Sequence, residues 1–227
     1  MESTAHQMFE PAYRELFPFW EEISQEDREY LCQNSIALTY KKGTMIHNGN
    51  DCVGIIFVRK GCLRVYVMSS EGKDVTLYRL YDGDICILSA SCVLQPITFD
   101  VMVDAEENSE CYVISGGAFA EVSRHNPNIR IFTLETALGR FSDVMWVMQQ
   151  ILFMSMDKRL AIFLTDEAAR VGSDTISLTH EQIAKYMGSA REVVSRMLKY
   201  FSNEGLVEVS RKGVKLLDKE RLRRLTL

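Results

Sequence analysis

Two periodicities divide this chain. From Ala37 to about Ser115 the apolar positions fall in short or alternating runs: IALTY, MIHNG, VGIIFVRKG, CLRVYVMSSEGKD, VTLYRLYDGD, FDVMVDAEENSE and CYVISGG. Gly43, Gly49, Gly61, Gly72 and Gly83 break these runs. A period of two puts successive side chains on opposite faces of a strand, and short strands with regularly spaced turn glycines predict an antiparallel roll or barrel. The clearest hairpin is SSEGKD, between RVYVM and VTLYRL. The preceding segment, Phe9 to Asn34, reads as helical. It contains SQED, a capping box from Ser24 to Asp27 in which Asp fits less well than Glu.

From about Asn128 the period lengthens to three and a half. Leu134, Leu138, Phe141, Met145, Met148 and Leu152 follow one another at spacings of 4, 3, 4, 3 and 4, a heptad seam. One helix cannot bury such a seam alone. It packs either on the roll of its own chain or on the same helix of a second copy, and the favoured reading is a parallel dimer helix with adjustable methionine packing. A second helix is expected over about Met156 to Val171, after a break near Ser155.

The polar run GSDTIS then introduces two short helices. THEQ, Thr179 to Gln182, is a capping box that opens a helix carrying Ile183, Ala184 and Met187 inward. Gly188 turns the chain, and Ser189 with Glu192 forms a second capping box. The next helix, GSAREVVSRMLKYF, sorts its residues by steps of three and four. Val193, Val194, Met197, Leu198 and Phe201 make an apolar face, whereas Arg191, Glu192, Ser195, Arg196 and Lys199 make a polar one. Two helices joined by a short glycine turn are a helix-turn-helix. Beyond Asn203 and Gly205, LVEVSRKGVKLL alternates around Arg211 to Gly213, a hairpin small enough to be a wing.

Charge sharpens this division. The net charge of -5 combines 12 Lys and Arg against 22 Asp and Glu in residues 1–157, a balance of -10, with 14 against 9 in residues 158–227, a balance of +5. A small basic domain joined to an acidic one suits a module that approaches a polyanion. The chain length of 227 residues accommodates two modest domains. The start, MESTAHQMFE, has no apolar run after a charged beginning, so the expectation is a reducing cytoplasm rather than secretion. No stretch approaches the roughly 18 continuous apolar residues of a membrane span, and no membrane partner is expected.

A polar helix face with two arginines, a lysine, a carboxylate and a hydroxyl has the chemistry of major-groove reading. Arg can hold guanine O6 and N7 bidentately, Glu can accept from cytosine N4, and Lys or Ser can hold phosphates. An ordinary solvated face with a Glu192 to Arg196 ion pair has the same composition. The capped short helix, the glycine turn, the wing and the local positive charge favour the DNA reading. Thr179, His180, Ser189, Arg191, Glu192, Ser195, Arg196 and Lys199 are the candidate DNA-binding residues.

The stretch LTHEQIAKYMGSAREVVSRMLKYFSNEGLVEV, with its SAREVVSR core, and the DGD turn at Asp82 to Asp84 resemble the Crp/Fnr superfamily of bacterial transcription regulators. The resemblance covers nearly the whole chain. It implies an α+β fold with an N-terminal antiparallel, jelly-roll-like β-roll in residues 1–127, a long dimerisation helix in 128–155 and a C-terminal winged helix-turn-helix in 156–227. It places Arg191, Glu192 and Arg196 at base-reading positions, with Ser195 and Lys199 serving the neighbouring backbone. The partners it implies are double-stranded DNA with a palindromic site, a second copy of the chain, and RNA polymerase.

Two branches of that family fit less well. Where members that bind a cyclic nucleotide carry an Arg-Ser pair for the phosphate, this chain has Phe99-Asp100 in GDICILSASCVLQPITFDVMV. A carboxylate repels a phosphate, which argues against cyclic AMP or GMP as the effector. The iron-sulfur branch uses several cysteines near the N-terminus, where only Cys32 precedes the roll, so a cluster is not expected. The effector is left unidentified, a small molecule or a redox signal. Its candidate pocket is Cys86, Leu88, Ser89, Cys92, Phe99 and Asp100, and with Ile87, Val93 and Leu94 this lining points to a hydrophobic or uncharged ligand.

Cys86 and Cys92 read either as small buried hydrophobes or as responsive thiols, which would need a lowered pKa. His6, His47 and His125 are scattered without metal-ligand spacing, and no metal site is expected. His180, in the first turn of a helix, lies either near DNA phosphate or at a solvated position. The alternative to a dimeric, effector-gated regulator is a cupin-like binding or enzymatic roll with a C-terminal protein-interaction domain. A catalytic roll needs converging ligands or an acid and base. Only His47 lies in the strand region, and no catalytic constellation is present.

Overall fold

The computed structural model describes residues 4–49, 52–89 and 101–226. Its contacts divide the chain into two units, Met1–Met68 with Leu77–Val144 and Ser69–Thr76 with Met145–Leu227. The dividing line crosses the long helix, whereas the sequence reading sets boundaries at that helix's two ends.

In the first unit, α1 (Thr4–Leu16) is followed by a 3-10 turn (Trp20–Glu22) and α2 (Gln25–Gln33). Ser24 caps α2 by accepting from the Asp27 amide at 3.0 Å. Only this half of the expected capping box is among the described hydrogen bonds. Phe9, Tyr13, Phe17 and Trp20 are buried together, with Tyr13 and Trp20 edge to face at 5.4 Å between ring centroids. Buried aromatics supply large apolar area from few residues, and this cluster is continuous with the core of the roll.

The roll is built from β1 (Ser35–Tyr40), β2 (Met45–His47), β3 (Ile55–Lys60), β4 (Leu63–Met68), β5 (Asp74–Leu80), β6 (Ile85–Cys86), β7 (Met102–Ala105) and β8 (Ser109–Ile114). They form two four-stranded sheets, ordered β1-β8-β3-β6 and β2-β7-β4-β5. The ladders are antiparallel, as the alternating pattern requires. The hairpin expected at SSEGKD joins β4 to β5, with the Ser69 amide donating to Lys73 at 2.8 Å. All five turn glycines have positive φ, a region that costs a side chain energy and leaves glycine free.

Alternate positions of β4 and β7, namely Leu63, Val65, Val103 and Ala105, are fully buried in the core. Arg64 is buried as well, and its guanidinium stacks 4.2 Å from the Tyr66 ring centroid. Tyr66 in turn donates to Asp104 at 3.1 Å. A buried charge of this kind was not anticipated from LRVYV. Asp104 stands opposite Arg64 in the register of β4 with β7, a neighbour that the local sequence does not show.

After β8 come α3 (Gly116–His125), which the sequence reading missed, and α4 (Pro127–Phe153). α4 carries two stripes. Ile129 and Thr133 are buried, and Phe132, Ala137 and Val144 pack partly buried on the roll core. Arg140 fixes the same side, lying 4.9 Å over the Tyr78 ring and pairing with Asp143 at 3.2 Å and Asp84 at 3.7 Å. The heptad seam is a separate stripe.

The second unit contains α5 (Met156–Val171), β9 (Thr175–Ile176), α6 (His180–Met187), α7 (Arg191–Asn203), β10 (Val207–Ser210), β11 (Gly213–Leu216) and α8 (Lys219–Leu225). α5 occupies the span that its periodicity predicts. β10 and β11 are the wing hairpin, and β9 adds a short third strand beside β11. Neither β9 nor α8 was anticipated. Leu160, Leu164, Ile183, Val194, Leu198, Phe201 and Val214 form the core. At Gly213, φ is 123° and a side chain would collide with the Ile176 carbonyl, so β9 comes this close to β11 because a glycine is there. No helix among the described residues is long and apolar enough to cross a membrane.

Candidate nucleic-acid interface

The N-terminus of α6 is fixed by Thr179. Its hydroxyl accepts from the Gln182 amide at 3.1 Å, and the Gln182 side chain accepts from the Thr179 amide at 2.9 Å, the reciprocal capping box expected from THEQ. Ile183, Ala184 and Met187 face the core. Gly188 ends the helix in the left-handed region, and the Ser189 amide donates back to Ala184 at 2.9 Å. That is a Schellman turn. Arg159 of α5 donates to the Met187 carbonyl in the same turn, while burial lowers the pKa of its guanidinium from the ordinary value.

This turn changes the start of α7. The expected capping box from Ser189 to Glu192 does not form. Ser189 is spent on the preceding helix's end, and its hydroxyl donates to the Met156 sulfur at 3.8 Å. The N-cap is Ala190, which has no side-chain acceptor to offer. The first amides of α7 therefore lack a side-chain cap, an arrangement suited to an oxyanion from outside.

α7 sorts its residues as its period predicts. Val194, Leu198 and Phe201 are fully buried, and Val193 and Met197 are half-buried. Arg191, Glu192, Arg196 and Lys199 are exposed. Among the described residues their side chains make no hydrogen bond or ion pair, so the Glu192 to Arg196 pair of an ordinary solvated helix is not made. Ser195 differs from them. It is half-buried, and its hydroxyl lies 2.9 Å from Nδ1 of His180, across the angle between α6 and α7. The structure thus brings Thr179, His180, Arg191, Glu192, Ser195, Arg196 and Lys199 onto the helix-turn-helix, with the Ser189 side chain directed at Met156.

The six seam residues of α4 stay outside the fold. Leu134, Leu138, Phe141, Met145, Met148 and Leu152 are all exposed, Leu138 by 65% of its surface. In the roll, Cys86, Leu88 and Ser89 are buried, with the Ser89 hydroxyl donating to the Gly54 carbonyl at 2.8 Å. Cys92, Phe99 and Asp100, and with them Val93 and Leu94, lie outside the described residues.

Burial pushes the Cys86 thiol above its ordinary pKa, against the opposing pull of Ser89 and Arg140. Cys32 and Cys111 are pushed up to about 12 by the same cause. A raised pKa keeps these sulfurs as unreactive thiols. Cys52, by contrast, is disulfide-bonded, a departure from the expectation of reduced cysteines. Linear spacing does not show which cysteines lie within bonding distance. Among the described residues, no group of three His, Cys, Asp or Glu could hold a metal ion.

Comparison with known proteins agrees with this architecture. Residues 37–126 match the family model of a cyclic nucleotide-binding domain, and residues 158–225 match that of a Crp-like helix-turn-helix domain. A crp/fnr-family protein of known structure from Eubacterium rectale shares 42% sequence identity, with a TM-score of 0.87 over 93% of this chain and 99% of its own. The transcriptional activator protein Anr of Pseudomonas aeruginosa is 26% identical over 187 residues, 78% of this chain and 75% of Anr. The cAMP-activated global transcriptional regulator CRP of Salmonella typhimurium is 25% identical over 179 residues, 76% of this chain and 85% of CRP. The helix-turn-helix match sets aside the alternative of a catalytic roll with a protein-interaction domain. A roll, a long helix and a winged helix-turn-helix in this order, with 42% identity to one member over nearly the full length, make the chain a member of the Crp/Fnr family of DNA-binding transcription regulators.

Proposed function

We propose that the protein is a homodimer that reads a two-fold symmetric duplex site with α7, under the control of a signal received in the roll. The observation that carries this reading is the exposed face of α7, where Arg191, Glu192, Arg196 and Lys199 stand without side-chain partners among the described residues. Arg191 and Arg196 are suited to guanine O6 and N7, and Glu192 to cytosine N4. Lys199, Thr179 and the uncapped amides of α7 serve the phosphates on either side, whereas Ser189 is taken up by the end of α6 and by Met156.

The α4 seam supports the dimer, because an exposed apolar stripe at heptad spacing is stable in water only against another apolar surface. Two copies joined along α4 would place two recognition helices for half-sites about 34 Å apart. A signal must favour one arrangement over the other to have any effect. Phe99-Asp100 in place of an Arg-Ser pair favours a signal other than a cyclic nucleotide, and the buried Cys86, Leu88 and Ser89 suit a largely apolar ligand. RNA polymerase contact follows from the same reading.

Rounds of selection from a pool of random duplexes, with and without reductant, test the proposal. The expected product is a palindrome with half-sites one turn apart. Enrichment of an asymmetric sequence, or of nothing in either condition, overturns it. A requirement for oxidising conditions would place the disulfide of Cys52 in the signal path.

A further inference from the structure

The contact between His180 and Ser195 joins the first residue of α6 to the middle of α7, 15 residues on. Both ends of the contact are held. The capping box of Thr179 and Gln182 fixes the backbone that carries His180, and the buried Val194 and Leu198 fix the turn that carries Ser195. Ser195 is the one polar residue of the α7 face whose side chain has a partner within the protein. Its neighbours along that face, Arg191, Glu192, Arg196 and Lys199, have none among the described residues.

A serine hydroxyl has one proton to donate and two lone pairs to accept with, and it rotates to suit whatever it meets. Alone on a helix it can donate to thymine O4 or guanine O6, or accept from adenine N6 or cytosine N4, and so distinguishes none of them. A ring nitrogen at 2.9 Å limits that freedom. If Nδ1 carries a proton, it donates to Ser195, and the hydroxyl keeps its own proton and one lone pair, still free to donate or to accept. If Nδ1 is bare, the hydroxyl donates to it, and only a lone pair faces outward. With Nδ1 bare, one polarity, that of an acceptor, is presented before DNA arrives.

We infer that His180 is a positioning residue for sequence recognition, which with Nδ1 bare takes the Ser195 proton and holds that hydroxyl as an acceptor toward the DNA. The inference rests on α7 being the DNA-reading helix and goes beyond it. It makes what Ser195 offers to a base depend on a residue of the other helix.

The test is a double-mutant cycle read as base preference at every position of the selected site. His180→Phe keeps a ring and removes the nitrogen, and Ser195→Ala removes the hydroxyl. Each single variant should flatten the preference at the same base pair of each half-site by about 3- to 10-fold, the scale of one hydrogen bond. The double variant should be no flatter than either. His180→Asn, whose amide can stand near the position of Nδ1, should restore the preference, which a merely structural role would not produce. Additive losses, or equal weakening on every sequence, overturn the inference.

The ring is also read without DNA. In the free protein the 15N shifts of the His180 ring should show the tautomer with Nδ1 bare as the dominant one, and Ser195→Ala should return it to a mixture. An unchanged ring spectrum in Ser195→Ala overturns the inference even if His180→Phe fails to fold. A normal ring response combined with no selectable DNA site means instead that the regulator reading has failed.

Discussion

α4 and α7 both leave one face outside the fold, and the two faces obey opposite rules. The outer stripe of α4 is apolar along six heptad positions, whereas that of α7 is charged. Water penalises the first. Each large apolar side chain left in solvent forgoes about 1.5 to 3 kcal/mol of burial. Charges on α7 are stable where they are, and gain only from a partner whose groups complement them. One face is therefore driven to associate whatever the conditions, while the other binds only its matching surface, and less as salt rises. On the proposed assembly this difference sorts the two interfaces by permanence: the dimer persists while DNA comes and goes.

The largest expected effect comes from making the α4 stripe obey the α7 rule. Leu138→Glu puts a carboxylate in the middle of the seam of both copies. Losing the burial of two leucines, about 3 to 6 kcal/mol in all, should weaken self-association by at least a hundredfold in sedimentation equilibrium. Binding to a palindromic site should fall with it. Because Leu138 is exposed and outside the core, the thermal unfolding of each unit should change little. A variant that stays dimeric would show that the seam is not the interface.

Next in size are the charged residues of α7. Arg191→Ala and Arg196→Ala should each cost about 1 to 3 kcal/mol on the preferred site and relax specificity at one base pair. Lys199→Ala should weaken all sequences alike and lower the salt slope of binding by about one. Titrations against the preferred and a scrambled duplex at several salt concentrations separate the two behaviours. An arginine that behaves like Lys199 is a phosphate contact.

What the sequence shows and what it hides follow the same division between local and distant. The α4 seam, the α5 span and the Thr179 cap were legible because they depend on neighbours three or four residues away. The strands and their glycine turns were legible for the same reason. The second stripe of α4 was not, because Ile129, Phe132, Thr133 and Ala137 interleave with the seam and only the roll decides which positions it covers. Ser189 was misassigned because two local motifs compete for it, and the end of α6 takes precedence over the start of α7. Arg64 in the roll, the disulfide of Cys52 and the His180 contact to Ser195 depend on chain crossings that no spacing encodes. Buried cysteines look like reactive ones until burial is known, since it is burial that keeps their pKa high.

A smaller effect is expected at the boundary between local order and binding. Thr179→Ala removes the hydroxyl that holds the Gln182 amide and should lower the stability of the second unit by about 1 kcal/mol. It also loosens the backbone that carries His180. Base preference at the pair under Ser195 should therefore relax partially, less than in His180→Phe. Calorimetry and the same selection assay read the two effects separately. A stability loss with full specificity would show that the cap serves the fold alone.

The smallest expected effect lies in the first unit, away from both faces. His125 at the end of α3 pairs with Asp27 of α2 at 2.9 Å. The Asp27 hydrogen bond raises the His125 pKa above its ordinary value, outweighing the opposing desolvation. A histidine whose folded value is raised binds its proton more tightly in the native state. Its stabilisation is complete below the unfolded value and is lost as pH rises through the folded one. Over the range from about pH 6 to 8, the unfolding midpoint of the wild type should fall more steeply than that of His125→Gln, and the two curves should converge at the alkaline end. Because the imidazole is exposed, the difference should shrink in high salt. Parallel curves would mean that the pair contributes nothing to the pH dependence, and that α3 is held on α2 by apolar contacts alone.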